Sequence, residues 1–244
     1  MNILHRLFLV TVAVAVCPAW NGLAQSVDST AMLFDDRVVH EFNVTFYCEN
    51  HEDTLKYWYE HGEEYIPARV EYAGIVFDSV GVRYKGNSSY TMSRNTPKKP
   101  LKFKFDEYRS KQECFDVEKL NFSNAFKDPS FLREKICYDM LRTRMHAPRA
   151  AFAAIRVHGE LLGLYTMVEQ VDKKFLDIHF PDKGFNLYKA QDNGATLEYR
   201  GAAGDDYKNE FELQTNEDED DWSRFISMVQ ALNNAPDASF RDDA

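Results

Sequence analysis

The sequence is short of positive charge, glycine and proline, and each shortage argues against a class of protein. Lys and Arg number 29 against 39 Asp and Glu, which gives a formal net charge of −10. That balance disfavours a nucleic-acid binder with a broad basic face. Eleven glycines and eight prolines among 244 residues are too few for a collagen-like or linker-rich chain. One globular domain of ordinary core size, or at most two small ones, is expected.

Long hydrophobic runs are also missing, apart from a short one at the amino terminus. Arg6 precedes an apolar run over residues 7–16, and the small residues Gly22 and Ala24 stand at the spacing of a cleavage site. Residues 1–24 are therefore predicted to be a secretory signal, with a retained membrane anchor as the alternative. No later stretch approaches the ~20 apolar residues of a membrane-spanning helix. The mature chain is expected to be secreted or to lie at the cell surface, with no transmembrane segment after signal removal.

Cysteine is scarce, and signal removal leaves Cys48, Cys114 and Cys137. Their spacing contains no CxxC pair, so a zinc site is not expected. In an exported chain, three cysteines predict one disulfide and one buried thiol, and the sequence does not choose the pair.

The first half of the chain alternates apolar and polar residues in the manner of strands. The predicted strands cover 38–47, 66–73, 75–85 and 100–105. Because side chains alternate between the two faces of a strand, Arg83 and Lys85 lie opposite Val82. Lys102 likewise lies opposite Phe103. An antiparallel, strand-rich first half is expected.

Helical spacing and turn signals dominate after residue 128. The predicted elements are a helix from Asp128 to Ala147, a hairpin of strands 151–157 and 161–168, a short helix 172–180, a strand 185–190 and a helix from Asn216. The acidic run 217–221 is placed in the first turn of that last helix, where it complements the helix dipole.

Five segments in order resemble the signature segments of the spore coat protein H (CotH) kinase family. They are Val82–Ser89, Pro97–Phe105, Leu120–Asn121 with Asp128–Arg133, Gly159–Asp172 and Asn186–Lys189. The first matches the pattern R-x-K/R-G-x-S-S, and the fourth matches G-x-x-x-G-L-Y-x-x-x-E-x-V-D. Each segment alone is unspecific, but five in the family's order over roughly residues 78–230 make a specific resemblance.

The resemblance implies an α+β, protein-kinase-like fold with an antiparallel-sheet small lobe plus a helix, a hinge and only the start of the second lobe. It implies transfer of phosphate from ATP, with Mg²⁺, to Ser of a protein substrate. The family's catalytic and metal-binding residues are expected beyond Ala244. Residues 25–244 would then be a CotH kinase-like domain, incomplete at its carboxyl end, that holds the nucleotide-binding part and cannot phosphorylate efficiently alone. The missing part would leave an apolar surface exposed on the last predicted helix, at Trp222 and Phe225. Asp116 and Asn121 have D-x4-N spacing, but they precede the predicted helix and are set aside.

For the phosphate end of the nucleotide site, the resemblance implies a turn that begins at Gly86. Backbone N–H groups and the hydroxyls of Ser88 and Ser89 would donate to the phosphate oxygens. Arg83 and Lys85 join this site only if the register of the sheet brings them beside the next strand, which the sequence does not determine.

The resemblance also implies a lysine that pairs with the phosphates, a helix residue that contacts it and a hinge. Lys102 is preferred for the lysine, with Lys99 as the alternate. Glu134 or Arg133 would be the contacting residue, and backbone groups near Glu169 would receive the adenine edge. The alternatives without a functional role are a solvated lysine on an edge strand at 102, a surface ion pair between residues 133 and 134, and a turn residue at 169.

Two other functions stay open at this stage. The chain could be a surface module that binds a protein partner without catalysis, or a structural component of a coat or envelope. In each case the expected partner is a protein and not a nucleic acid.

Overall fold

Seven strands of the computed structural model form a closed barrel. They are β1 (Val39–Phe46), β2 (Ile66–Tyr72), β3 (Ile75–Tyr84), β4 (Leu101–Lys104), β5 (Lys119–Ser123), β6 (Ala150–Val157) and β7 (Glu160–Glu169). Their order around the barrel is β1-β2-β3-β4-β5-β7-β6. Neighbours are antiparallel except at the closure, where β1 and β6 run parallel. The structure describes residues 29–93, 95–180, 184–191 and 194–234, so the predicted signal 1–24 lies outside the described residues.

This barrel shows that the predicted fold class is wrong. The chain forms mainly a closed, mixed, seven-stranded barrel with few helices, and not a kinase-like small lobe of antiparallel sheet plus helix with the start of a second lobe. The difference arises at β1, which pairs on one side with β2 and on the other with β6. Alternation of apolar residues assigns the faces of each strand, but it carries no information about a pairing over more than 100 residues of chain.

Apolar side chains on the inward face of each strand fill the barrel. Phe42, Phe103 and Phe122 are fully buried there and pack edge-on or tilted, with ring centroids 4.5–6.2 Å apart. Aromatic pairs in this geometry add to the free energy gained by burial alone. The predicted faces of β3 and β4 are confirmed, since Val82 and Phe103 point inward. The polar residues of these strands consequently lie on the outer surface of the barrel.

Helices lie around the barrel within the described ranges. They are α1 (Ser29–Leu33), α2 (His51–Glu60), α3 (Ser88–Thr91), α4 (Arg133–Arg142), α5 (Lys173–His179) and α6 (Ser223–Asn234). The predicted short helix is confirmed as α5, because the Asp172 carboxylate accepts from the amides of Lys174 and Phe175. None of the helices in this part of the chain has the length and apolar character to cross a bilayer.

The helix predicted from Asp128 begins five residues later than expected. The Asp128 carboxylate accepts hydrogen bonds from the amides of Ser130 and Arg133, so residues 128–132 form a capping loop ahead of α4. The predicted hairpin is confirmed, and its two-residue turn has positive φ at His158 and Gly159. That conformation matches the twist of the flanking strands.

A second apolar cluster forms near the carboxyl end. β8 (Tyr188–Ala190) pairs with β9 (Phe211–Leu213), and α6 packs on them. Trp222 and Phe225 are buried in this cluster, so the exposed apolar surface predicted there is wrong. The acidic run 217–221 precedes α6 instead of forming its first turn.

An exposed apolar face is found instead on α4. The apolar side chains that α4 and its flanks expose are Leu132, Ile136, Met140, Leu141 and Met145. The helical spacing of this segment correctly indicated α4, although much of its apolar stripe faces away from the barrel.

The predicted disulfide is also wrong, because all three cysteines outside the signal are free thiols. Cys114 is buried against the barrel core, Cys48 is half-buried, and Cys137 is exposed on α4. Burial raises the pKa of the Cys114 thiol, which keeps it in the unreactive protonated form.

Two leucines on the barrel strands provide a test of this arrangement. Leu120 on β5 is fully buried, whereas Leu161 on β7 is 60% exposed. We expect Leu120→Ala to lower the free energy of unfolding by about 2–5 kcal/mol, because it leaves a cavity in a packed core. Leu161→Ala is the matched control and should change it by less than about 0.5 kcal/mol. Urea denaturation measures both, and equal effects would contradict the placement of the core.

Candidate functional site

A cleft of about 810 Å³ lies on the outer surface of the barrel. Its floor includes Arg83 of β3, Lys102 of β4 and Asn121 of β5. Its walls come from α4, from the segment 187–191 and from residues that follow β7. The cleft therefore collects side chains from the motif segments of both halves of the sequence.

The strand register aligns the floor of the cleft as a row. Arg83 lies directly opposite Lys102, Lys102 opposite Asn121, and Asn121 opposite Val168. Directly opposite residues of paired strands share one face of the sheet. Lys85 follows β3, and its amide donates to the carbonyl of Pro100 at 3.1 Å, which extends the β3–β4 pairing. The register thus brings Arg83, Lys85 and Lys102 together, which was the condition that the sequence left open.

The ammonium group of Lys102 is partly buried among like charges. Burial, followed by the neighbouring charges of Arg83, Lys85 and Lys119, lowers the pKa of Lys102 to about 8, although Asp172 partly offsets these effects. Among the described residues Lys102 has no ion pair or side-chain hydrogen bond. The cleft therefore holds a positive charge that would be stabilised by an added anion.

Lys85 and Glu134 face the same cleft from β3 and α4. Burial is the main effect on each group, and it lowers the pKa of Lys85 and raises the pKa of Glu134. The charge of each group partly offsets the pKa shift that burial causes in the other. The Glu134 carboxylate also accepts from the Ser123 hydroxyl at 3.0 Å. Of the two predicted helix residues, the structure brings Glu134 to the cleft, whereas Arg133 is exposed and lies 3.7 Å from Asp128.

The turn after β3 depends on glycine at position 86. Gly86 has φ +82°, and a Cβ at this position would collide with the Ser89 hydroxyl. The Tyr59 hydroxyl donates to the Gly86 carbonyl at 2.6 Å. Gly86 lines the main cleft and also an adjoining cleft of about 370 Å³, which Ser89 lines as well and which shares Lys85 with the first. Ser88 begins α3 and lines neither of these two clefts.

The alternate lysine, Lys99, lies away from the cleft lining. Its ammonium donates to the carbonyl of Ser93 and lies 5.1 Å from the centre of the Tyr90 ring. The structure therefore places Lys102, and not Lys99, at the position that a bound anion could reach.

Glu169 lies at the edge of the cleft, but its polar groups are already engaged. Its buried carboxylate accepts from the backbone amide and the Nε of Arg149, both at 3.0 Å, and lies 3.2 Å from Nε2 of His179. Its own amide donates to the Arg149 carbonyl at 2.9 Å. The amide of Glu169 is therefore not available to a ligand, and adenine binding by other backbone groups near this position stays a prediction.

Several cleft residues were missed by the sequence analysis. Asn121 was set aside, yet it is buried in the floor and its Nδ2 donates to Oε1 of Gln170 at 3.0 Å. Alternation with its inward neighbours Leu120 and Phe122 could have identified it as outward-facing. Glu63 also lines the cleft, from the turn after α2, and no sequence pattern indicated it.

The arrangement suits an extended anion better than a cation. Among the described ranges no group of three or more His, Cys, Asp or Glu side chains is placed to hold a metal ion. Cationic side chains, amide side chains and a glycine turn share one cleft, and these groups are typical ligands of phosphate oxygens.

The lowered pKa of Lys102 leads to a stability prediction. Folding lowers its pKa from 10.5 to about 8. The buried charge therefore lowers the free energy of unfolding by its full amount below pH 8, and this penalty disappears as the pH rises toward 10.5. We expect Lys102→Met to raise the free energy of unfolding at pH 7 by about 2–3 kcal/mol.

The matched control is Lys104→Met on the same face of β4. Lys104 pairs with Glu107 at 2.7 Å, so its replacement should give no gain and a loss of up to about 1 kcal/mol. Urea denaturation at pH 7 and pH 10 measures both variants. A solvated Lys102 would instead give equal, small effects at both pH values.

The ion pair of Glu169 gives a second prediction for this region. Glu169→Gln would leave the buried guanidinium of Arg149 without its counter-charge, at a cost of about 3–5 kcal/mol in unfolding free energy. Glu160→Gln, at the exposed start of the same strand, should cost less than about 0.5 kcal/mol. Thermal and urea melts compare the two, and a stable Glu169→Gln variant would refute the structural role.

Comparison with known proteins agrees with the motif segments. A sequence model of the CotH family, described as CotH kinase protein, matches residues 82–244. Inner spore coat protein H of Bacillus subtilis (strain 168) is 27% identical over 132 residues, which cover 52% of this chain and 36% of that protein. The match thus spans about a third of the length of this curated relative. Because the family match covers more than half of the chain, including the cationic row from β3 onward, the protein belongs to the CotH family.

Proposed function

We propose that the cleft binds the polyphosphate of ATP, and that this chain supplies the nucleotide-binding part of a transfer of phosphate to Ser of a protein substrate. The observation that carries the proposal is the row of Arg83, Lys85 and Lys102 on one partly buried face. The proposal rests on this cleft and on the family described as CotH kinase protein, and not on the overall fold.

Holding these charges close together costs the fold free energy. A buried ammonium without a counter-charge destabilises a fold, and adjacent like charges add to that cost. Lys102 carries both penalties, whereas Lys104 on the same strand has an acidic partner. A polyphosphate would remove both penalties at once, because its oxygens accept charge-assisted hydrogen bonds from several cations.

The rest of the cleft suits the remainder of a nucleotide. Its volume of about 810 Å³ falls within the range of small-molecule sites. Apolar and aromatic side chains also line the cleft, among them Tyr138, Pro148, Val168 and Val171. We assign the base to these residues and the phosphates to the cationic row. Glu134 would act as a positioning residue that orients the Lys85 ammonium, and the Mg²⁺ expected for the family would be held by groups other than the described residues.

We propose a coat or surface location for this function. The similar protein of Bacillus subtilis is named an inner spore coat protein, which supports a coat or surface location for this chain as well. The predicted signal at residues 1–24 supports export to such a location. The expected partner is then a protein of the coat or surface that presents Ser.

A second candidate function is favoured by the exposed apolar face of α4. Leu132, Ile136 and Met140 are each 45–67% exposed, which is unusual for the apolar stripe of an amphipathic helix. This face would suit a binding or structural module of a coat that packs against another protein without catalysis. In that case the cleft would bind no nucleotide.

Nucleotide binding by single-lysine variants tests the proposal. We expect ATP to raise the melting temperature of the full chain, and Lys102→Ala or Lys85→Ala to weaken ATP binding about tenfold or more, because each removes a charge-assisted hydrogen bond. Lys99→Ala is the matched control and should bind like the unchanged chain, since its ammonium contacts Ser93. Titration calorimetry gives the affinities. Absence of ATP binding would favour the non-catalytic module. Equal ATP binding by all the variants would refute the assignment of the phosphates to the cationic row.

A further inference from the structure

We propose that Glu63 is an internal anion that occupies Arg83 while the cleft is free of ligand, and that a polyphosphate binds by displacing it. The inference rests on the proposed function, because it concerns regulation of the same cleft. Glu63 lies before the range 82–244 matched by the family, so the comparison carries no expectation for it.

The first observation is the ion pair itself. Oε2 of Glu63 pairs with Nη1 of Arg83, and both residues line the main cleft. Within the described ranges Arg83 makes no other ion pair. The carboxylate therefore lies where the register would otherwise present Arg83, beside Lys102, to a bound anion.

The second observation is that Glu63 satisfies Arg83 only in part. A guanidinium carries five N–H donors, and here Nη1 donates to Glu63 and to the Tyr84 carbonyl at 3.1 Å. Nε of Arg83 is buried and has no hydrogen-bond partner among the described residues. A buried donor without an acceptor is costly, so the group favours a ligand with more oxygens than one carboxylate supplies.

The third observation is that Glu63 can leave easily. Its side chain is 55% exposed, against 15% for Arg83, so water can solvate the released carboxylate while the guanidinium keeps its position. An ion pair with one exposed partner contributes little to stability. The residue stands in the turn after α2 with φ +58°, a conformation that is uncommon outside glycine and that recurs at functional sites.

Competition between the Glu63 carboxylate and a ligand for Arg83 favours ligands that carry several negative charges. A singly charged anion gains little by replacing one carboxylate with another oxyanion at Arg83. A tripolyphosphate can contact Lys102 and Lys85 in addition, and its affinity reflects the surplus over the displaced ion pair. Glu63 thus lowers the affinity of the cleft for every anion and leaves only multiply charged ligands bound strongly.

Calorimetric titration of the full chain with inorganic tripolyphosphate, and separately with ATP, tests the inference. We expect Glu63→Gln to bind each ligand about five- to tenfold more tightly, because the competitor is gone while the side-chain size is kept. Glu64→Gln removes the same charge from the neighbouring residue, which does not pair with Arg83, and should change affinity less than twofold. Glu63→Asp keeps the charge but shortens its reach, so an intermediate gain is expected.

The outcomes separate this inference from the proposed function. If the unchanged chain binds tripolyphosphate and Lys102→Ala abolishes binding, but Glu63→Gln binds no more tightly than Glu64→Gln, the displacement is refuted and the anion site stands. Weaker binding by Glu63→Gln would show that the carboxylate holds Arg83 in place for the ligand, and would also refute it. Binding by Glu63→Gln alone would support both ideas, and failure of every folded variant to bind either ligand would reject both.

Discussion

Filling of the closed barrel by aromatic and aliphatic side chains is the constraint on which the rest of the structure depends. Because Phe42, Phe103 and Phe122 occupy the interior, polar residues of the same strands have only the outer face available. The strict alternation of a strand then fixes Lys102 outward as firmly as it fixes Phe103 inward. The candidate cleft is consequently built on the outer wall of the barrel, and the paired strands beneath it hold its floor in place.

That rigid wall explains how unfavourable electrostatics can persist. Three strands hold Arg83, Lys102 and Asn121 side by side, and the strand pairing cannot relax to separate the charges without loss of the core. The free energy that offsets this repulsion comes from burial of apolar side chains on the opposite face of the same strands. A fold can tolerate a few such sites, and they are where binding or chemistry is commonly found. Lys102 and Lys104 lie on the same face of β4, but Lys104 has an acidic partner whereas Lys102 lies among like charges.

Local patterns predicted much of the fold, and long-range pairings accounted for most of the errors. The strands over 75–85 and 100–105 and the hairpin turn at Gly159 follow from alternation and turn chemistry, which act over a few residues. Strand β5 and helix α2 were missed, although Leu120 and Phe122 alternate with polar residues in β5. The role expected for Glu169 did not anticipate Arg149, a partner 20 residues away whose contact depends on the pairing of β6 with β7.

Ordered motif segments in the amino-acid sequence identify the family, and alternation identifies the face of each strand that carries the cations. Both are properties of residues close together in the chain. Tertiary structure alone decided that the strands close into a mixed barrel, that Lys102 and not Lys99 reaches the cleft, and that Glu63 pairs with Arg83. These outcomes depend on register and closure, which are set by the total burial of the core and not by any local preference.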